Sequence, residues 1–178
     1  VLEKYGADAV RWYMISNSQP WDNLKFDVDG VDEVRRKFLG TLYNTYSFFA
    51  LYANVDGFTG REKEIPVAER PEIDRWIISL LNTLVADVTR YLENYDPTPA
   101  ARAIQEFVGE NLSNWYVRLN RKRFWGGGLS DDKLAAYQTL YTCLETVAQL
   151  SAPFAPFISD RIFTDLNAVS GRHSEVSV

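Results

Sequence analysis

Apolar residues recur at spacings of three and four through most of this chain, and a proline or a glycine cluster interrupts each run. That pattern points to amphipathic helices packed on one another, because a half-buried strand would alternate every second residue. Val34, Phe38, Leu42, Tyr46 and Phe49 mark one face of a long helix over residues 31–52. Residues 54–70, with Gly57, Gly60, Pro66 and several charges, read as an exposed loop. Pro71 then suits a helix start, and Ile73, Ile77, Leu80, Leu84, Val88, Tyr91 and Tyr95 form its stripe, with Trp76 counted among the core aromatics.

Thr98–Pro99 offers an N-cap and a first-turn proline for a third helix. Its inward positions read as Ala101, Ile104, Val108, Leu112, Trp115 and Leu119, and it ends near Trp125. Gly126–Gly127–Gly128 is a flexible connection, after which Ser130 caps a fourth helix burying Leu134, Tyr137, Tyr141, Leu144 and Ala148. Pro153 and Pro156 break that helix, and residues 157–166 make a last short one. The expected fold is mainly α, an antiparallel helical bundle. Residues 1–30 read as a connector: a helix over 7–16 with Val10, Tyr13 and Met14 on one face, a turn at 18–23, and a short strand at 24–28. Asp8 and Arg11, three apart, can pair along that helix, and Trp21 reads either as a packing indole in the turn or as a contact to an RNA stem. The expected division is therefore a connector over 1–30, a bundle over 31–167 and a loose polar tail over 168–178.

Composition removes several function classes. With 178 residues and 46% hydrophobic content the chain can bury a core. It has no apolar run near the length a membrane span requires. One cysteine, Cys143, in an apolar helical pattern excludes a disulfide framework and fits a reducing, cytoplasmic setting. One histidine, His173, denies the chain the paired Glu-x-x-His ligands of di-metal bundles and argues against a His-based triad. No phosphate-binding glycine loop and no nucleophile elbow is present. Val1 is not a start residue and no signal peptide is visible, so the sequence reads as a non-catalytic piece of something longer.

What remains distinctive is Asn114–Trp125. This stretch interleaves Arg118, Arg121, Lys122 and Arg123 with four aromatics and contains no acid, inside a chain of net charge -5. Cations beside aromatics are the composition that holds a phosphate backbone and stacks unpaired bases. At helical spacing, Asn114, Arg118, Arg121, Lys122 and Trp125 share one side. Asn44, within Tyr43–Asn44–Thr45–Tyr46, offers amide donors and an acceptor for a base edge, and Arg36 and Lys37 lie about two turns earlier as phosphate contacts. The alternative is a solvated basic helix end that meets the negative pole of its own helix. The overall acidity argues against nonspecific affinity for nucleic acid, so any RNA contact would be local and sensitive to salt.

Several blocks together resemble the class I aminoacyl-tRNA synthetases, in the region after the catalytic domain. They are Tyr5–Gly–Ala–Asp–Ala–Val–Arg–Trp–Tyr13, Tyr43–Asn–Thr–Tyr–Ser–Phe–Phe49, Asp74–Arg–Trp–Ile77, Asn114–Trp–Tyr–Val–Arg118 and Ala152–Pro–Phe–Ala–Pro–Phe157. Ser18–Gln–Pro–Trp–Asp–Asn–Leu–Lys–Phe26 is similar to the isoleucyl branch in particular, rather than the valyl or leucyl branches. The resemblance covers residues 1–167. It implies an anticodon-binding helical bundle, an isoleucine-specific tRNA as partner, and a catalytic domain in the same polypeptide that uses ATP and magnesium. The His-Ile-Gly-His and Lys-Met-Ser-Lys-Ser signatures of that domain are not in these residues. No cofactor is expected in the chain itself. On this reading the tRNA-binding residues are Asn44, Asn114, Arg118, Arg121, Lys122, Arg123 and Trp125. A different class of function, a helical scaffold using the basic strip for an acidic protein, would fit the same strip.

Overall fold

The computed structural model describes residues 1–173 and 178. Among the described residues seven helices carry the fold: α1 (Leu2–Tyr5), α2 (Ala7–Asn17), α3 (residues 28–56), α4 (Glu72–Glu93), α5 (residues 97–125), α6 (Asp131–Ser151) and α7 (Pro156–Ser170). A single 3-10 turn, Val67–Glu69, precedes α4, and no strand occurs among the described residues. The helices α3 to α6 form the expected bundle. Its far end gathers the last turn of α3, the first of α4, the last of α5 and the first of α6, so consecutive helices alternate in direction.

Two of these helices are not α throughout. In α3 the stretch Val34–Leu39 widens to π geometry, and the Gly40 N–H donates to the Arg35 carbonyl five residues back. In α5 the π stretch is longer, Phe107–Val117, and the Arg118 N–H donates to the Ser113 carbonyl. Widening a helix delays the return of its inner face. The α5 stripe therefore runs Ala101, Ile104, Val108 and Leu112, then Tyr116 and Val117, then Asn120 and Phe124. Trp115 and Leu119, expected inward, are 56% and 57% exposed.

The core otherwise follows the stripes, except that Leu81 is buried on α4 where Leu80 was expected and Leu80 is only half-buried. Phe38, Leu42 and Phe49 of α3, Ile77, Leu81, Leu84 and Val88 of α4, and Tyr137, Tyr141, Leu144 and Ala148 of α6 are buried. Ser130 caps α6 as expected, accepting from the Lys133 N–H at 3.2 Å. Tyr95 departs from the α4 stripe: it sits in the tight turn to α5 with φ 57° and is 87% exposed. The cap of α5 also differs. Asp96 takes the N-cap position and Pro97 opens the helix. Thr98 instead reaches out, its hydroxyl between the Ile15 and Ser18 carbonyls at 2.7 and 3.1 Å.

That contact belongs to a set that fastens residues 1–30 to the bundle. Arg102 donates to the Ser16 and Asn17 carbonyls at the end of α2, at 2.8 and 3.0 Å. Trp12 stacks on Phe38 at 4.1 Å and donates to Gln105 at 3.1 Å. Asp8 and Arg11 do not pair with each other. Asp8 accepts from the Phe157 and Ile158 N–H groups at the start of α7, where a helix favours negative charge, and Arg11 donates to the Pro153 and Phe154 carbonyls. The expected strand at 24–28 does not form: residues 24–27 are irregular, Val28 already opens α3, and the segment is latched by Tyr13, whose hydroxyl donates to the Lys25 carbonyl and accepts from the Asp27 N–H. Gly30 is required beneath that ring, since a Cβ there would lie 2.4 Å from Tyr13 Cε2. Trp21 does not pack; it is exposed.

The far end of the bundle is polar and closed. Asp74 on α4 is 0% exposed, and its carboxylate is held by Arg123 at 2.7 and 2.9 Å and by the Tyr116 hydroxyl at 2.7 Å. Asn120 also accepts from Arg123 at 3.0 Å. Asp132 pairs with the same guanidinium from α6 at 3.0 Å. Burial and the Asp74 charge both drive the Tyr116 phenol well above its usual pKa, so it stays a donor. A second cluster joins α3 to α6: Asp56 accepts from Lys133 and from Tyr137, and Lys133 also donates to the Gly126 carbonyl.

Residues 54–70, expected to be an exposed loop, are partly built in. Phe58 stacks on Tyr137 at 5.0 Å, and the buried Arg70 donates to the Ile65 carbonyl and to Thr139. The tail is likewise less loose than its composition suggests. α7 runs on to Ser170, Arg172 lies over the Tyr141 ring at 4.2 Å, and His173 meets Glu145 at 2.8 Å. Residues 174–177 of the expected tail lie outside the described residues.

Three stability outcomes are expected. Leu144→Ala, at a fully buried site, lowers unfolding free energy by about 2–5 kcal/mol in urea titrations. Asp74→Ala strands the Tyr116 hydroxyl, leaves Arg123 with only Asn120 and Asp132, and costs about 3 kcal/mol, the low end of the penalty for breaking a buried pair from one side. The third concerns acid. Burial by itself would raise the Asp56 carboxyl, but its bonds from Lys133 and Tyr137 outweigh that and hold it below the usual range. A depressed carboxyl contributes stability that is fully present above its unfolded value, about pH 4, and is lost as pH falls through the folded value. Lys133→Met therefore flattens the acid limb of a melting-temperature profile below about pH 4.

Candidate nucleic-acid interface

The last turns of α5 present two kinds of cation. Arg123 points inward and is consumed by Asp74, Asn120 and Asp132. Burial opposes its charge, yet those carboxylates hold its pKa above the ordinary arginine range, so it is a fixed positive charge facing the bundle. It does not join the exposed strip in which the sequence placed it. Arg118, Arg121 and Lys122 point outward, and none has an ion pair with a described carboxylate. The difference follows from helix rotation. With Tyr116, Asn120 and Phe124 facing the core, residues 118, 121, 122 and 125 must face water.

Around those cations the structure places exposed flat or amide side chains. Trp125 closes the helix and is exposed, as is Asn114 four residues before Arg118. Asn114 makes a long contact of 3.5 Å to Glu110, which leaves most of its amide free. Trp115 and Trp76 of α4 lie against one another with ring centroids 6.4 Å apart and planes tilted by 54°. The sequence reading missed this pair as surface, counting both rings in the core. No spacing rule would have found it, because the π stretch that turns Trp115 outward leaves no mark in residue spacing.

α3 and α5 run side by side in the same direction, with Phe48 edge-on to Phe124 at 5.2 Å. One cleft of about 460 Å³ between them is lined by Arg36, Lys37 and Thr41 on one wall and Gly109, Glu110, Ser113 and Asn114 on the other. The structure thus brings Arg36 and Lys37 beside Asn114, which are 77 residues apart in sequence at the nearest (114 minus 37). Asn44 is exposed on α3, one turn beyond Thr41. Arg36 and Lys37 are not free: they pair with Asp32 at 2.9 Å and Glu33 at 2.6 Å. Exposed pairs of this kind are worth at most about 1 kcal/mol, so a phosphate can compete for these cations.

Chemically, this surface holds an anionic backbone and offers ring faces and amides to unpaired bases. Among the described residues no group of His, Cys, Asp or Glu is arranged to hold a metal. Cys143 is wholly buried, and its thiol is raised by that burial. No described helix is long and apolar enough to cross a membrane.

Comparison with known proteins gives the family. Residues 74–177 match the family model described as the anticodon-binding domain of tRNA ligase. An isoleucine–tRNA ligase of Bacteroides fragilis is 70% identical over 177 residues, 99% of this chain. Those of Bacteroides thetaiotaomicron and Porphyromonas gingivalis are each 68% identical, over 99% and 93% of the chain. The chain spans about 16% of the length of the first of these relatives. Among solved structures, the LeuRS of Agrobacterium radiobacter K84, in a ternary complex with tRNA and LeuAMS, aligns over 98% of this chain with a TM-score of 0.67. At 23% identity that likeness speaks for the fold alone. With more than half its length matched by the family model, the chain belongs to the anticodon-binding domain family of tRNA ligases.

Proposed function

We propose that this chain is the anticodon-binding region of a cytoplasmic isoleucine–tRNA ligase, which holds the anticodon arm of an isoleucine tRNA and does not acylate it. The observation that carries the reading is the outer face of α5, where three cations without carboxylate partners stand beside exposed indoles on an otherwise acidic chain. The isoleucine assignment is supported by the identity to isoleucine–tRNA ligases, and the valyl and leucyl alternatives have no comparable support. Acylation, with its ATP and magnesium, is assigned to the part of such ligases that lies beyond the length matched here.

In this reading Arg118, Arg121 and Lys122 hold phosphates, Asn114 in the α3–α5 cleft and Asn44, exposed on α3, read base edges, and Trp125 covers a base or ribose at the end of the helix. Arg123 acts differently from the sequence expectation. It sets the rotation of α5 through Asp74 and so aims the other three cations outward. The scaffold reading has no specific observation in its favour.

The test is a titration of the protein with an isoleucine tRNA and with the same tRNA carrying a methionine anticodon, at two salt concentrations. Preference for the isoleucine anticodon is the expected result; equal binding to both, lost with salt, leaves only a phosphate-holding strip. Arg121→Ala combined with Lys122→Ala is expected to weaken both complexes, reduce the salt slope by about two and leave the melting temperature unchanged. Arg123→Ala, by contrast, is expected to lower the melting temperature.

A further inference from the structure

Gly109 is a glycine that the fold does not ask for. It stands inside the π stretch of α5, in a helix interior where glycine is a poor helix former. Its φ is not in the left-handed region, and a Cβ added there would meet nothing within 4 Å. What the missing side chain leaves is a bare floor between α3 and α5. The cleft of about 460 Å³ and a second one of about 280 Å³ share Lys37, Gly109 and Glu110, so one trough runs from Arg102 past Gly109 to Asn114. Its walls carry opposite charge and do not close on each other. Arg36 and Lys37 on the α3 wall take Asp32 and Glu33 of their own helix, and Arg102 takes the Ser16 and Asn17 carbonyls. Glu106 and Glu110, four apart on α5 and exposed, have no ion pair with a described cation. Two such carboxylates repel each other along the helix, and they stand at the edge of a surface that otherwise suits phosphates.

We propose that the trough at Gly109 seats one ribose of the anticodon arm. The phosphate lies on Arg36 and Lys37, the sugar rests on the bare helix backbone, and the 2′-hydroxyl donates to Glu110. This rests on the tRNA-binding reading and adds to it a contact that tells RNA from DNA. An ionised carboxylate is an acceptor only and repels phosphate, so its place in an RNA cleft is accounted for by a donor on the RNA. The 2′-hydroxyl is the donor that every ribonucleotide carries beside its phosphate, whatever the base. A cationic wall facing a carboxylate wall across an open floor matches that pairing of anion and hydroxyl.

The experiment titrates an anticodon stem-loop of an isoleucine tRNA, and copies of it that each carry one 2′-deoxyribose, against the parent protein, Glu110→Gln, Glu110→Ala, Gly109→Ala and Gly109→Leu, with a melting curve for each protein. Removing an acid that merely stands near a polyanion tightens binding, because a repulsion is lost. Glu110→Ala is expected instead to bind about tenfold more weakly, the loss of one hydrogen bond to a charged group, while Glu110→Gln keeps an acceptor and binds nearly as the parent does. One deoxyribose position should cost the parent a similar factor and cost Glu110→Ala nothing. Gly109→Ala and Gly109→Leu should melt at or above the parent's temperature, since both are better helix formers. They should nonetheless bind progressively more weakly, the leucine by about tenfold or more as it fills the floor. Parent-like or tighter binding by Glu110→Ala, parent-like binding by Gly109→Leu, or the lack of any deoxyribose position whose cost depends on Glu110 overturns the ribose seat and leaves the tRNA-binding reading intact. So does a parent that binds the full tRNA and not the stem-loop. A parent that binds neither overturns the tRNA-binding reading and the seat with it.

Discussion

The buried carboxylate of Asp74 is the constraint on which the working surface depends. A charge with no exposure is tolerable only if its oxygens are matched, and here Arg123 and Tyr116, both from α5, match them. Because the partners lie seven residues apart on one helix, they fix both the height and the rotation of α5 against α4. Once that rotation is set, every other residue of the basic strip has its direction assigned. One arginine is spent inside so that two arginines and a lysine face out.

The π stretches in α3 and α5 perform a related task. A uniformly α helix of this length would bring Trp115 and Leu119 to the core and turn Tyr116 aside. The wider turns of Phe107–Val117 shift the face so that Tyr116 meets Asp74 and Trp115 meets water. The π stretch of α3 lies beside the same part of the molecule, where Lys37 and Gly109 line a shared cleft. Wide turns weaken helix geometry, and they recur where side chains must be aimed rather than merely buried.

The first thirty residues show how a polar set can dock one segment on another. Carbonyls at the end of α2 and between α6 and α7 are taken by Arg102, Thr98 and Arg11, while Asp8 satisfies two N–H groups at the start of α7. Each of these groups would cost free energy if it were buried unpaired. Trp12 adds the apolar part of the joint by stacking on Phe38. The connector is therefore tied to α3, α5 and α7, and the direction in which it enters is set relative to the bundle that carries the strip.

Period and punctuation by themselves determined that this chain is a helical bundle, where its helices begin and end to within a few residues, and which faces of α3, α4 and α6 are buried. Those properties are local, since apolar spacing, Pro71, Pro156, Ser130 and the glycines act through the backbone nearest them. The concentration of cations and aromatics over 114–125 was equally legible, because composition needs no coordinates. Only the tertiary structure decided which of those residues face out. Arg123 turned inward because Asp74, 49 residues earlier, needed it. Trp115 and Leu119 turned outward because a π stretch displaced the face that an α period predicts. Arg36 and Lys37 met Asn114 because α3 and α5 pack side by side. Each is a contact or a rotation set across the fold, and residue spacing along one helix carries no information about it.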